Sequence, residues 1–280
     1  MPTTSSGIYY ETQGDARDEA LVLIEGLGAQ LIGWHPAMVA ALVDEGYRVV
    51  LLDNRDVGLS KKYGDVGQID GGYTIDDMAG DVADVLDDAG IIDAHVVGQS
   101  MGGIIAQRFA ITYSERVKSL TLIYTTPNFS AHLRSGPSPE TDPTRVPLPE
   151  AIERAYEREI FNASPGFPAD VEWVRELAKR SVERSYAPEG AARQTTAIRS
   201  SFLEDQSEAL SRLDIPSLII HGRDDGYFIP EAALSLARAL RHSELHLIAG
   251  MAHELPTVLF PFFVEAITRT ARRAGTIAVA

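Results

Sequence analysis

The sequence predicts an α/β domain: a mostly parallel central sheet, helices on both faces, and an α-helical insertion late in the chain. Three observations carry this. Short apolar runs rich in Val, Ile and Leu recur in the first 126 residues and after residue 213. Each is followed by a stretch with helical spacing. Runs that are continuous rather than alternating mark strands buried on both faces, as in a parallel sheet between two helix layers. Between 127 and 213 the apolar runs stop and only helix-like segments remain. The expected organisation is therefore a core made of 1–126 and 214–280, interrupted by a helical cap over 127–213. A chain of 280 residues can bury one large core of this kind.

The elements follow in order. "GIYYETQG" (7–14) alternates and predicts an antiparallel edge hairpin strand. "ALVLIEG" (20–26) is a buried strand, and "GWHPAMVAALVDEG" (33–46) a helix closed by Gly46. "YRVVLLD" (47–53) is the next strand. In "TIDDMAGDVADVLDDAG" (74–90), Ile75, Met78, Val82, Val85 and Leu86 share one helical face and aspartates the other. "AHVVG" (94–98), "MGGIIAQRFAITY" (101–113) and "VKSLTLIYTT" (117–126) read as strand, helix, strand. A Pro-, Ser- and Thr-rich stretch from 126 to 150 has no period and reads as a long loop. Helices are expected at 149–162, 168–186 and 188–202. "PSLIIHG" (216–222), "EAALSLARALR" (231–241), "SELHLIAG" (243–250) and "TVLFPFFVEAITRTARR" (257–273) resume the alternation. The C-terminal "GTIAVA" reads as a docked or frayed tail rather than an anchor.

Composition narrows the function. There is no cysteine, which excludes disulfides, thiolate zinc sites and a cysteine nucleophile. A net charge of −15 argues against a general nucleic-acid binder. The aspartates between Lys62 and Arg108 read as a solvated acidic face. The N-terminus has neither a basic nor an apolar signal region, and no apolar run reaches the roughly 18 residues of a membrane span. A cytoplasmic protein without a membrane partner is expected. His35, His132, His242 and His246 show no ligand spacing and read as surface or helix-end residues. His95 and His221 read as structural. No metal and no cofactor are expected, since neither H-E-x-x-H nor a phosphate-cradling glycine motif occurs.

The chemistry centres on "VVGQSMGG" (96–103). It places Ser100 between two glycines, after a buried strand and before a helix. That context is what a nucleophile on a tight strand-to-helix turn requires. "IIHGRDD" puts Asp224 and Asp225 just past a strand end, and "LIAGMAHELP" puts His253 past the last strand. A serine hydroxyl needs a neighbouring base, and the base needs a carboxylate to orient it.

Together, in this order and at these spacings, "VVGQSMGG", "LLDNRDVGLS", "LIIHGRDD" and "GMAHELP" resemble the α/β-hydrolase-fold family over essentially the whole chain. Within it, "GLGAQLIGW", "DNRDVGLS" and "GMAHELP" resemble the serine-esterase group that includes aclacinomycin methylesterase. The resemblance implies Ser100 as nucleophile and His253 as base. It implies Asp225 as the acid, three residues after the glycine that follows the strand, here Gly222. Asp224 is then exposed or bonded within its loop. It also implies an oxyanion site from the backbone N–H groups of Met101 and Leu27. The chain departs from the common pattern at Glu25, where relatives have His. Asp53 and Arg55 are expected to form an internal ion pair. Of the aromatic residues in the insertion, Phe161 and Phe167 are the candidates to line a substrate pocket, while Trp173, Tyr186 and Phe202 are expected to pack. Relatives that open epoxides or remove halide carry Asp at the elbow, so Ser100 points to acyl chemistry. A neutral, hydrophobic ester is the expected small-molecule substrate, a methyl ester of a secondary metabolite among them. Lactones, carbon–carbon bonds beside a carbonyl, haloperoxidase-like perhydrolysis and a low-turnover ligand-binding role stay open.

Overall fold

The computed structural model describes residues 2–135, 142–202 and 205–274. The C-terminal tail from 275 and part of the 126–150 loop lie outside the described residues, and so does the expectation placed on that tail. The strands are β1 (Tyr10–Gln13), β2 (Glu19–Ile24), β3 (Tyr47–Leu52), β4 (Ala94–Gln99), β5 (Val117–Ile123), β6 (Ser217–Gly222) and β7 (Ser243–Ile248). They form one seven-stranded sheet in the order β1-β3-β2-β4-β5-β6-β7. All neighbours are parallel except β1, which runs antiparallel to β3 at the edge. β1 thus pairs with β3 and not with β2, the next strand in sequence: β2 is occupied on both sides, by β3 and β4.

The helices are α1 (Pro36–Asp44), α2 (Ile75–Asp88), α3 (Met101–Thr112), α4 (Phe129–His132), α5 (Leu148–Asn162), α6 (Val171–Arg184), α7 (Pro188–Ser201), α8 (Ser207–Leu210), α9 (Glu231–Ala239) and α10 (Phe260–Arg272). Local signals set several of the ends. Thr74 caps α2 in a reciprocal pairing with Asp77, which satisfies N–H groups that the first turn leaves free. Gly46 and Gly90 close α1 and α2 at positive φ. The short α4 and α8 were not legible, because a single turn has no period to detect.

Strand residues alternate between two cores. On one face Val22, Ile24, Val96 and Leu120 pack with Met78 and Val82 of α2, Ile105 and Phe109 of α3, and Leu236 of α9. On the other, Leu21, Leu23, Val97 and Ile220 pack with Met38 and Leu42 of α1 and with Phe263 and Ile267 of α10. Phe202 packs into the first core, as expected. No helix among the described residues is long and apolar enough to cross a membrane.

The expected Asp53–Arg55 pair does not form. Arg55 instead grips Asp81 of α2 with two hydrogen bonds, Nε to Oδ2 at 2.6 Å and Nη2 to Oδ1 at 2.7 Å. Asp53 pairs with Arg184 of α6 at 2.8 Å. Two residues apart in a loop, the two side chains diverge to different layers. Asp81 also departs from the solvated acidic face read from the sequence, since it is buried. Breaking a buried pair leaves an uncompensated charge, so Asp81→Ala is expected to lower unfolding free energy by about 3–5 kcal/mol in urea denaturation.

Candidate active site

The loops at the C-terminal ends of the parallel strands carry the site, where open α/β sheets place ligands. Ser100 lies between β4 and α3 at φ 54°, ψ −121°. Such a conformation is costly for an L-residue and persists only when its surroundings impose it. Glycines impose it here. A Cβ on Gly98 would stand 2.2 Å from the Gly102 carbonyl oxygen, and one on Gly102 would stand 2.2 Å from that of Ile24. The turn is therefore clamped by backbone contacts that no side chain permits.

The structure brings Ser100, His253 and Asp225 together. Ser100 Oγ is 2.9 Å from His253 Nε2, and His253 Nδ1 is 2.9 Å from Asp225 Oδ2. Asp225 is fully buried, and its Oδ1 accepts from the N–H groups of Tyr227 at 2.7 Å and Phe228 at 3.1 Å. Burial alone pushes its pKa up, but the facing imidazole of His253 and these contacts hold it below the usual carboxylate value. Its ionised form then fixes the tautomer with the proton on His253 Nδ1, leaving Nε2 to accept from Ser100. The imidazole is held between the rings of Tyr124 and Tyr227, each with its centroid 4.5 Å away. Asp224 is exposed and accepts from Gly250 N–H at 2.8 Å, tying the acid loop to the His253 loop.

The two expected oxyanion donors face the same site. Around Leu27, the N–H groups of Gly26, Gly28 and Ala29 all have acceptors. Among the described residues, no acceptor pairs with the N–H of Leu27 or with that of Met101 at the first turn of α3. A Cβ on Gly26 would lie 3.2 Å from Ser100 Cβ, so the loop touches the nucleophile.

Several site residues were not legible in the sequence. Gln194 of α7 accepts from Gly28 N–H at 2.8 Å and donates to the Arg55 carbonyl at 2.8 Å. Gln30 donates to the Ser181 carbonyl of α6 at 2.7 Å. Gln99 accepts from the Tyr124 hydroxyl and donates to Glu25. Gln99 and Gln30 stand within "VVGQSMGG" and "GLGAQLIGW", but at positions where neither motif requires an amide, and Gln194 stands in none.

Beside Ser100 is a cavity of about 780 Å³, walled by both core loops and the α5–α7 segment. Phe161 and Phe167 do not line it. Phe161 lies at the flank of the α5 face formed by Ala155, Arg158 and Asn162, and stacks edge-on against Tyr227. Phe167 packs with the α10-side core, its turn pinned by the Gly166 N–H to Gly250 carbonyl bond. Trp173 and Tyr186, expected to pack, do so against His35 and Arg145, and they also contribute to the cavity wall.

The other histidines sit as expected at ends and in structural roles. His35 caps α1, His132 ends α4, and His242 and His246 pair with Asp214 and Glu244. His95 bonds Ser119 within the sheet. His221 is buried 3.7 Å from Asp225, and burial pushes its pKa down. Gly102→Ala is expected to force the elbow from β2, destabilising the fold by about 1–3 kcal/mol in urea denaturation. Labelling of Ser100 by a fluorophosphonate should slow in parallel.

Comparison with known proteins supplies the context. Residues 19–256 match the family model described as the alpha/beta hydrolase fold. The 2-hydroxy-6-oxononadienedioate/2-hydroxy-6-oxononatrienedioate hydrolase of Burkholderia vietnamiensis is 30% identical over 89% of this chain and 85% of that one. The rhodomycin D methylesterase DnrP of Streptomyces peucetius is 27% identical over 95% of each. Among solved structures, the meta-cleavage product hydrolase CumD of Pseudomonas fluorescens IP01 superposes with a TM-score of 0.77 over 98% of both chains at 22% identity. The sheet order, the glycine-clamped elbow and the matched span agree: this chain belongs to the alpha/beta hydrolase fold family.

Proposed function

We propose that the protein is a serine hydrolase that cleaves a carboxylic ester through an acyl-enzyme on Ser100. One observation carries the reading: the Ser100–His253–Asp225 chain, with 2.9 Å at both links, lies beside a cavity and two N–H groups that have no acceptor among the described residues. His253 takes the Ser100 proton as Oγ attacks the carbonyl, and returns it to the departing alcohol. Asp225 stabilises the imidazolium that forms. Leu27 and Met101 donate to the oxyanion, where pre-aimed donors lower the barrier most. Water, deprotonated by His253, then releases the acid. In this reading 127–213 is the cap over the core, and α5–α7 shape the substrate pocket.

The cavity volume suits a bulky substrate, and Met38, Ile104, Trp173, Leu177 and Phe260 supply apolar wall. This supports a hydrophobic ester, in keeping with the methylesterase named among the relatives. One observation favours a second reading. Arg158 lies in the same wall near Gly28, and its ion pair with the adjacent Glu159 is long, at 3.4 Å. A substrate with a free carboxylate would find a cation there, as would the dioate of the hydrolase named above. Carbon–carbon cleavage beside a carbonyl uses the same triad.

p-Nitrophenyl esters of increasing acyl length, given to wild type and Ser100→Ala side by side, test the main reading. A burst in wild type and a loss of roughly a thousandfold or more in the variant are expected. Equal trace rates in both would reject it. Asp225→Asn should cost roughly ten-thousandfold in kcat with KM little changed, because an amide N–H facing His253 Nδ1 favours the wrong imidazole tautomer. Faster turnover of a vinylogous dicarboxylic 1,5-diketone than of any ester, lost in Arg158→Met, would favour the second reading.

A further inference from the structure

Glu25 follows β2 and opens the loop that carries Leu27. Its side chain is buried, with 1% exposure, beside the nucleophile. The two carboxyl oxygens are treated unequally. Oε2 accepts twice, from Gly26 N–H at 3.0 Å and from the Gln99 side-chain amide at 2.5 Å. Oε1 is buried and receives no hydrogen bond among the described residues. It sits against Gly33, where a Cβ would come within 2.6 Å of it. Both donors fall on one oxygen, which accepts as a carbonyl does, and nothing stabilises charge on the other, so this environment suits a neutral acid better than an anion. A carboxylate in the same place would leave half its charge buried with no donor, which is costly.

We propose that Glu25 is a positioning residue that works as the neutral acid, with the proton on Oε1, and that its ionisation shuts down oxyanion stabilisation on the loop it anchors. The inference rests on the Ser100 reading above. As the neutral acid, Glu25 holds Gly26 and Gln99 in place and adds no charge where the substrate oxygen becomes negative. As the anion it would set a second negative charge beside the forming oxyanion in a water-poor site, where like charges repel strongly.

The surroundings favour the neutral form. Burial comes first and neighbouring Glu159 and Asp53 add to it, so that the pKa is pushed up to about 7 despite the two bonds to Oε2. The charged and titratable groups around it come from several elements. Asp53, beyond β3, is matched by Arg184 of α6. Glu159 and Arg158 come from α5. Tyr124, beyond β5, has its pKa raised well above the ordinary value by burial and nearby acids, so it stays a neutral donor to Gln99. His253 stands on the far side of Ser100.

The sign follows. Turnover needs Glu25 protonated, and its ionisation sets an alkaline limb. Wild-type kcat/KM for a p-nitrophenyl ester should fall by roughly thirtyfold or more between about pH 7 and about pH 9, with kcat falling more than KM rises. Glu25→Gln, which copies the neutral acid, should turn over at about pH 6.5 within roughly fivefold of wild type and show no alkaline limb to about pH 9. An unaltered alkaline limb in Glu25→Gln would overturn the inference, as would a folded but inactive Glu25→Gln at every pH. Carbon-detected NMR titration of the Glu25 carboxyl in Ser100→Ala gives an answer that needs no turnover. A midpoint above about 6 supports the inference, and one near the ordinary glutamate value of about 4.3 overturns it, whether or not any ester is cleaved. Turnover that survives Ser100→Ala would instead defeat the functional reading.

Discussion

The structure depends on one backbone contact more than on any side chain. The first turn of α3 is pressed against the end of β2 so closely that Gly102 has room only for a hydrogen toward the Ile24 carbonyl. Gly98 meets Gly102 in the same way. That approach lets the chain leave β4 and enter α3 with Ser100 at positive φ, its hydroxyl raised toward the loops. It also brings the loop after β2 against Ser100, with Leu27 and Met101 both lining the cavity beside it. The apolar sheet behind the elbow supplies the rigidity: β2 and β4 are buried on both faces, so the contact cannot relax by bending a strand.

Around that contact the site is assembled from loops that brace one another. The acid loop and the His253 loop are joined by the Asp224 to Gly250 bond and by the Asp224 N–H to the Met251 carbonyl. The turn after α5 reaches the same place, where Ser164 accepts from Ala252 N–H and donates its own N–H to Glu254. The loop after β2 is held by the α5–α7 segment, by Gln194 of α7 at Gly28 and by α6 at Gln30. The helical segment is thus more than a wall of the cavity. It fixes the loop that carries Leu27, and any movement of α6 or α7 transmits to it through buried polar bonds that cannot be left unpaired cheaply.

The site contrasts two uses of buried charge. Asp225 is anionic because His253 and two backbone N–H groups face it. Glu25, equally buried a short distance away, has only two neutral donors, both on one oxygen, and its acidic surroundings act the other way. Burial pushes both carboxyl groups up, and their different partners then separate them, Asp225 below and Glu25 above the usual carboxylate value.

The sequence by itself determined the order of strands and helices, the helical insertion, the elbow, and Ser100, Asp225 and His253. The strands, the helices and the elbow are written in local chemistry: continuous apolar runs, helical spacing, paired glycines and turn residues at strand ends, whereas the choice of Asp225 over Asp224 rests on the resemblance to the α/β-hydrolase-fold family. Tertiary structure decided everything that joins residues far apart in the chain. It gave Arg55 to Asp81 and Asp53 to Arg184, because side chains two positions apart in a loop can face different layers. It left Phe161 and Phe167 off the cavity wall and put Trp173 and Tyr186 on it, because which side of a helix or turn faces the core is set by docking and not by local sequence. It also recruited Gln30, Gln99 and Gln194, whose amides have no pattern until their partners surround them. Periodicity and spacing report what a segment buries, whereas polar partners across the fold are chosen only when the layers meet.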